Sequence, residues 1–188
     1  MSRWITQRGQ TMPAIGQPTR MECWITCYQM VLHANGLHWD LKKIEDKLVA
    51  GGFSDAPQCR VHGISDEELV KCAVALRMGF GRTAQINSLA GLKIMLMLCG
   101  PLWVAGIFPK ETESRVKARY NHVVTIIGVD EELQTVCWVN PWQENDYDKP
   151  SKGWISWSYI KESIQSTLHV EASLQYLTPI QAVVLSVT

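Results

Sequence analysis

From Cys23 to Ala34 the residues Trp24, Cys27, Tyr28, Val31 and Leu32 recur at three- and four-residue steps, and Asn35-Gly36 follows. That is the spacing of one helical face closed by a stop signal, so the pattern predicts a core helix over 23–34. Asp40 to Leu48 reads as a shorter helix behind an aspartate cap. The stretch "SDEEL" then sets Glu68 three residues after Ser65, a capping box opening a helix that runs to about Met78 before Gly79. A fourth helix is expected from Ser88 to about Leu98, ended by Gly100-Pro101. Ala50 to Gly63 reads as an irregular connection, and Met1 to Arg20, with two Gly and two Pro among polar residues, as an irregular or edge-strand segment.

The second half changes period. Strand-like apolar runs appear at Leu102–Ile107, His122–Val129, Thr135–Val139, Trp154–Trp157 and Ala182–Val187, with a short helix expected at Ser158–Gln165. Helices first and strands later predict an α+β fold of two lobes with a cleft between them. The helical lobe covers about 17–100 and the antiparallel β lobe about 101–188. A chain of 188 residues supports these as a single domain over 1–188.

Composition narrows the function classes. Lys and Arg number 18 against 18 Asp and Glu, with the basic residues scattered, so nothing asks for nucleic acid or an anionic membrane. The longest apolar tract, Leu92 to Phe108, is broken by Lys93, Gly100 and Pro101 and falls short of the ~20 residues a membrane helix needs, so no membrane insertion is expected. No N-terminal stretch has the order of a signal peptide, and the six cysteines read as reduced thiols. Cys59 and His62 have ligand spacing but no second pair completes a zinc site; no metal and no cofactor is expected.

The chemistry concentrates where the loop enters the first core helix. Cys23 falls at that helix N-terminus, where unpaired N–H groups and the helix dipole favour a thiolate. Gln17, six residues earlier and held by Pro18, can donate a second hydrogen bond to an oxyanion. The best partner for the thiol is His122, which opens the run "HVVTIIGVD". That run and "TVCWVNPW" should pair as a hairpin centred near Glu132, which sets Asn140 across from the region of Val124, on the face that carries His122.

In this order, Gln17, then Cys23-Trp24, then His122, then Asn140-Pro141-Trp142, the residues resemble the papain-like cysteine proteases. The resemblance implies a papain-like two-lobe fold with Cys23 as nucleophile on the central helix. It further implies His122 as ion-pair partner and general acid/base, Asn140 as the orienting amide, and Gln17 in the oxyanion hole. Trp142 would shield the His–Asn pair, and Trp24 is the tryptophan that follows the nucleophile in that family. Gly63, ahead of the Ser65 cap, is expected to let its backbone approach an extended substrate, beside the plainer reading as a loop glycine.

The chain is shorter than the plant and lysosomal enzymes and lacks their disulfide pattern. It is more similar to compact bacterial branches, the peptidases that remove double-glycine leaders and the effector or toxin proteases, although the leader peptidases usually carry Asp-Pro where Asn140-Pro141 stands here. What this implies is a cysteine endopeptidase acting on a protein substrate, with cleavage after small residues such as Gly-Gly. As an effector or toxin it would have a cognate immunity or inhibitor protein as partner, and would stay in the producer's cytoplasm or be delivered by a specialised secretion system. Two alternatives stand beside it. One is a Cys-His acyl-transfer enzyme, a cell-wall amidase, deamidase or transglutaminase; the other is a non-catalytic papain-like binding module.

Overall fold

The computed structural model describes residues 3–76, 78–82, 88–110, 118–142, 149–165 and 175–179. A short strand β1 (Arg3–Ile5) and helix α1 (Gln7–Thr11) come first, followed by α2 (Cys23–Ala34), α3 (Leu41–Ala50), α4 (Ala56–His62) and α5 (Asp66–Ala75). Strand β2 (Met78–Arg82) and helix α6 (Leu89–Cys99) lead into β3 (Leu102–Lys110), β4 (Ala118–Asp130), β5 (Thr135–Asn140) and β6 (Ser151–Ser156). Helix α7 (Trp157–Gln165) and strand β7 (Gln175–Pro179) close the described chain. The strands form one antiparallel sheet in the order β2-β7-β3-β4-β5-β6, with β1 added alongside β4.

Alternation along the strands gives the sheet two apolar faces. Trp103, Val123, Ile127, Cys137 and Val139 pack with α2 to α5 against Trp24, Tyr28, Ile44, Phe53 and Leu69. Leu102, Val104, Val124, Ile126 and Val136 face the other way, onto Leu92 and Leu96 of α6 and Trp157 and Ile160 of α7. Helix α2 is therefore covered on nearly every side, and eight of its residues from Trp24 to Leu32 are buried. This burial explains its apolar character far better than amphipathicity does.

Local signals act as expected at several ends. Asp40 caps α3 by accepting from Lys43 N–H at 2.7 Å. Ser65 and Glu68 bond reciprocally across the first turn of α5. The structure corrects three expectations. The connection 50–63 contains α4, the helix opened by Ser65 ends at Ala75, and the first twenty residues hold both a strand and a helix. The strand expected at 182–187 lies outside the described residues.

Candidate active site

Cys23 is the first residue of α2, with Glu22 as its N-cap. Its thiol is half-buried, and the Val123, Trp24 and Cys23 backbone N–H groups all favour its charged form. One turn below, Cys27 Sγ donates to Val123 O at 3.4 Å. A single residue of β4 therefore meets both thiols of α2, N–H to Cys23 and C=O to Cys27. This sets the helix in register on the strand and brings Cys23 to the backbone next to His122. Cys27 reads as packing from sequence alone; its thiol donor adds this second role.

His122 is 4% exposed, and its Nε2 lies 2.7 Å from Asn140 Oδ1. The same oxygen accepts the Trp142 backbone N–H at 3.1 Å, which fixes the amide orientation because only a carbonyl oxygen can take two N–H donors. Nε2 must then carry the proton, leaving Nδ1 as the basic nitrogen of the neutral ring. The Trp142 ring stands edge-on to the imidazole at 5.5 Å between centroids, and Phe108 packs in the same manner at 6.1 Å.

The hairpin that joins His122 to Asn140 carries a bulge. Asp130, Val129 and Gly128 pair with Thr135, Val136 and Cys137, the register then shifts between Gly128 and Ile126, and Ile126 and Thr125 pair with Trp138 and Val139. Continued by one residue, that register sets Val124 across from Asn140, so His122 and Asn140 share a face.

Gln17 is fully buried, and its backbone N–H donates to Pro141 O at 3.0 Å, tying the loop before Cys23 to the residue after Asn140. Both side-chain amide protons point into the loop itself, to Thr19 O at 2.7 Å and Arg20 O at 3.0 Å, while Oε1 has no hydrogen-bond partner among the described residues. The amide braces the turn into α2, and donating to an oxyanion requires it to give up one of these carbonyls.

Trp24 is wholly inside the core. Its indole N–H donates to Cys59 O at 3.1 Å, and its own carbonyl accepts from Trp103 Nε1 at 2.9 Å. Any part it takes in the site is through holding α2 between α4 and the sheet. Gly63 is the C-cap of α4 with φ of 87°, a left-handed conformation that favours glycine. A Cβ there would stand 2.9 Å from Met21 Cε, so this backbone lies against the loop that delivers Cys23.

Burial shapes the electrostatics. It pushes the Cys23 thiol up to about 11 against the opposing pull of the three N–H groups. It pushes His122 down to about 4, partly offset by the Asn140 hydrogen bond. Burial thus disfavours the charged form of each group taken alone. Among the other thiols, burial raises Cys27 and Cys72 well above the ordinary range and Cys59 to about 12. Among the described residues no group of three or more His, Cys, Asp and Glu is arranged to hold a metal ion. No described helix is long and apolar enough to cross a membrane.

Residues 6–157 match the family described as the papain-like cysteine protease AvrRpt2. Among solved structures, a protein from Bacillus anthracis described as a C39-like peptidase aligns with a TM-score of 0.51 at 11% identity. The alignment covers 95% of this chain and 98% of the other, a likeness that shows the fold. No curated protein matches the sequence.

Proposed function

The chain belongs to the family of the papain-like cysteine protease AvrRpt2, and from that premise we propose that it cleaves a protein substrate through Cys23, His122 and Asn140. It is a cysteine protease of α+β, papain-like fold. The observation that carries the assignment of residues is the 2.7 Å contact of His122 Nε2 with Asn140 Oδ1, on the strand whose next residue meets the Cys23 thiol.

In this reading His122 Nδ1 takes the thiol proton as Sγ attacks the scissile carbonyl carbon. The oxyanion forms beside the N-terminus of α2, where the Cys23 N–H and an amide proton of Gln17 released from its loop carbonyl are the donors. The imidazolium, held by Asn140, then gives its proton to the leaving amine, the C–N bond breaks and a thioester remains. Water, deprotonated by the same nitrogen, attacks the thioester, and the thiolate departs and recovers its proton. In this reading His122 acts as general base at the moment of attack, and burial opposes a charge on either group taken alone.

The finer reading concerns the substrate and setting. A polypeptide extended across the cleft would pass near Gly63, whose backbone lies against Met21 of the loop that delivers Cys23, with cleavage after small residues such as Gly-Gly. The setting we propose, on the resemblance to effector and toxin proteases, is that of a bacterial effector restrained by a cognate immunity protein. Terminal-peptide profiling of a bacterial and a eukaryotic lysate, wild type against Cys23→Ala, tests activity and specificity together. New termini that require Cys23 are expected. Gln-to-Glu conversion or cross-links without cleavage would replace peptidase by acyl transfer for the proposed site, and reactivity with neither outcome would leave a binding scaffold.

A further inference from the structure

Glu22 directly precedes Cys23, is 2% exposed, and serves as the N-cap of α2, yet its carboxylate makes no cap hydrogen bond. It is turned instead toward α4. Glu22 Oε1 accepts from Arg60 Nε at 2.6 Å and Nη2 at 2.5 Å, while Oε2 is buried with no hydrogen-bond partner among the described residues. Arg60 Nη1 reaches on to Glu45 Oε2 of α3 at 3.0 Å, so the guanidinium bridges two carboxylates from two other elements.

The direction of Glu22 matters because of its charge. A negative charge beside a helix start is drawn toward the first-turn N–H groups by the helix dipole. Those are the groups a nucleophilic sulfur and a developing oxyanion need. A carboxylate seated there would compete for the donors and place a negative charge beside the thiol. We propose that Arg60 is a positioning residue for the cleavage reaction: its fork draws the Glu22 carboxylate off the N-terminus of α2 and keeps those N–H groups open to the Cys23 sulfur.

The neighbouring contacts agree with this assignment. Cys59 O, one residue before Arg60, accepts the Trp24 indole N–H at 3.1 Å. Adjacent residues of α4 thus grip the residues on either side of Cys23, one by charge and one by a neutral bond. Among the described residues, the titratable and charged groups tied to this helix start are Cys27, coupled to Cys23 one turn on, Glu22 at the N-cap, Arg60 on α4 through Glu22, and His122, next to the Val123 backbone that meets the thiol. Glu45 stands behind Arg60 and is itself met by Lys42 at 3.6 Å. Of these, Glu22 is the anion nearest in sequence, and Arg60 is the cation that holds it.

The inference rests on Cys23 being the nucleophile, and its test separates the two claims. The probe is iodoacetamide, with the rate of Cys23 alkylation followed against pH by peptide mass spectrometry in the full chain. Arg60→Gln is expected to move the alkylation curve to higher pH by about one unit, a tenfold slower reaction at a fixed pH on the rising limb. The double variant Glu22→Gln with Arg60→Gln removes both charges, so it is available even where the single variant does not fold. Its curve is expected to return to within about threefold of the wild-type rate. A purely structural role would lower the melting temperature in both variants and leave the curves where they were. Unmoved curves, or a double variant displaced as far as the single one, overturn the inference. A wild-type Cys23 that reacts no faster than the buried Cys59 and Cys72 instead overturns the assignment of the nucleophile.

Discussion

Replacing His122 by Gln should make the protein less sensitive to acid, and the size of the effect follows from burial. Folding lowers His122 from the ordinary 6.5 to about 4. Between these values the unfolded chain binds a proton that the folded chain refuses, so stability rises with pH across the window. His122 therefore adds no penalty above pH 6.5, and stability is progressively lost as the pH falls toward 4. A gap of about 2.5 at 1.36 kcal/mol each comes to about 3 kcal/mol, of which about 2 kcal/mol is gone by pH 5. Glutamine keeps a donor for Asn140 Oδ1 but does not titrate. The assay is urea unfolding of both proteins from about pH 7.5 to about pH 4, with the difference between the two curves isolating the histidine from carboxylates common to both. A difference that closes by about 3 kcal/mol on acidification is expected. Parallel curves would refute the argument. A difference of opposite slope would mean that His122 is held protonated at neutral pH, with its folded value raised, and that the resting site is an ion pair.

Three other outcomes follow from individual contacts. Asn140→Ala removes the acceptor shared by His122 Nε2 and the Trp142 N–H; kcat on a peptide containing the mapped cleavage site should fall about tenfold or more with little change in KM, and an unchanged kcat would remove Asn140 from the site. Gly128→Ala puts a methyl 2.4 Å from Trp4 O and 3.0 Å from Ile5 Cα. The strand β1 must move, so chemical denaturation should show a loss of about 1–3 kcal/mol, and a neutral result would contradict the close approach. Ser65→Ala removes the hydroxyl that accepts the Glu68 N–H at the start of α5 and leaves the Ser65 backbone N–H on Glu68 Oε2. It should cost about 1 kcal/mol with cleavage unaffected, since that helix end holds none of the proposed catalytic groups.

The parts of the fold legible in sequence were those with strong local periodicity or a punctuating residue. Helix α2 has helical spacing and an Asn-Gly stop, and α3 and α5 have side-chain caps that bond as their types require. Helix α4 has neither. It is seven residues long with a proline in its first turn, and only Ala56 and Cys59 are buried. Long-range contacts brace it: Trp24 bonds Cys59 O, and Arg60 joins Glu22 and Glu45. Arg60 was invisible for the same reason, because nothing local distinguishes it from a surface arginine. Strands β2 and β7 pair with each other across about a hundred residues of sequence, beyond the reach of any local window.

The meeting of His122 and Asn140 shows how a correct expectation can rest on an incomplete cause. A symmetric hairpin about Glu132 sets Asn140 across from Val124. The turn itself pairs Asp130 with Thr135, half a residue later, and that register continued without interruption would set Asn140 across from Thr125, on the face away from His122. The extra residue in β4 restores the parity. One local sign of it was present: a glycine inside a strand pattern marks a bulge or a close backbone approach, and Gly128 serves both. The bulge leaves a carbonyl to satisfy, and Ile127 O accepts the Thr6 N–H at 2.9 Å. Thr6 in turn caps α1, whose Gly9 sits so close to Ile127 that a Cβ would meet its side chain at 2.8 Å. Residues 3–11 contribute no proposed catalytic group, yet they brace the bulge that decides which face of the sheet Asn140 occupies. The alignment of the imidazole is therefore a property of the N-terminal segment as much as of the hairpin that carries it.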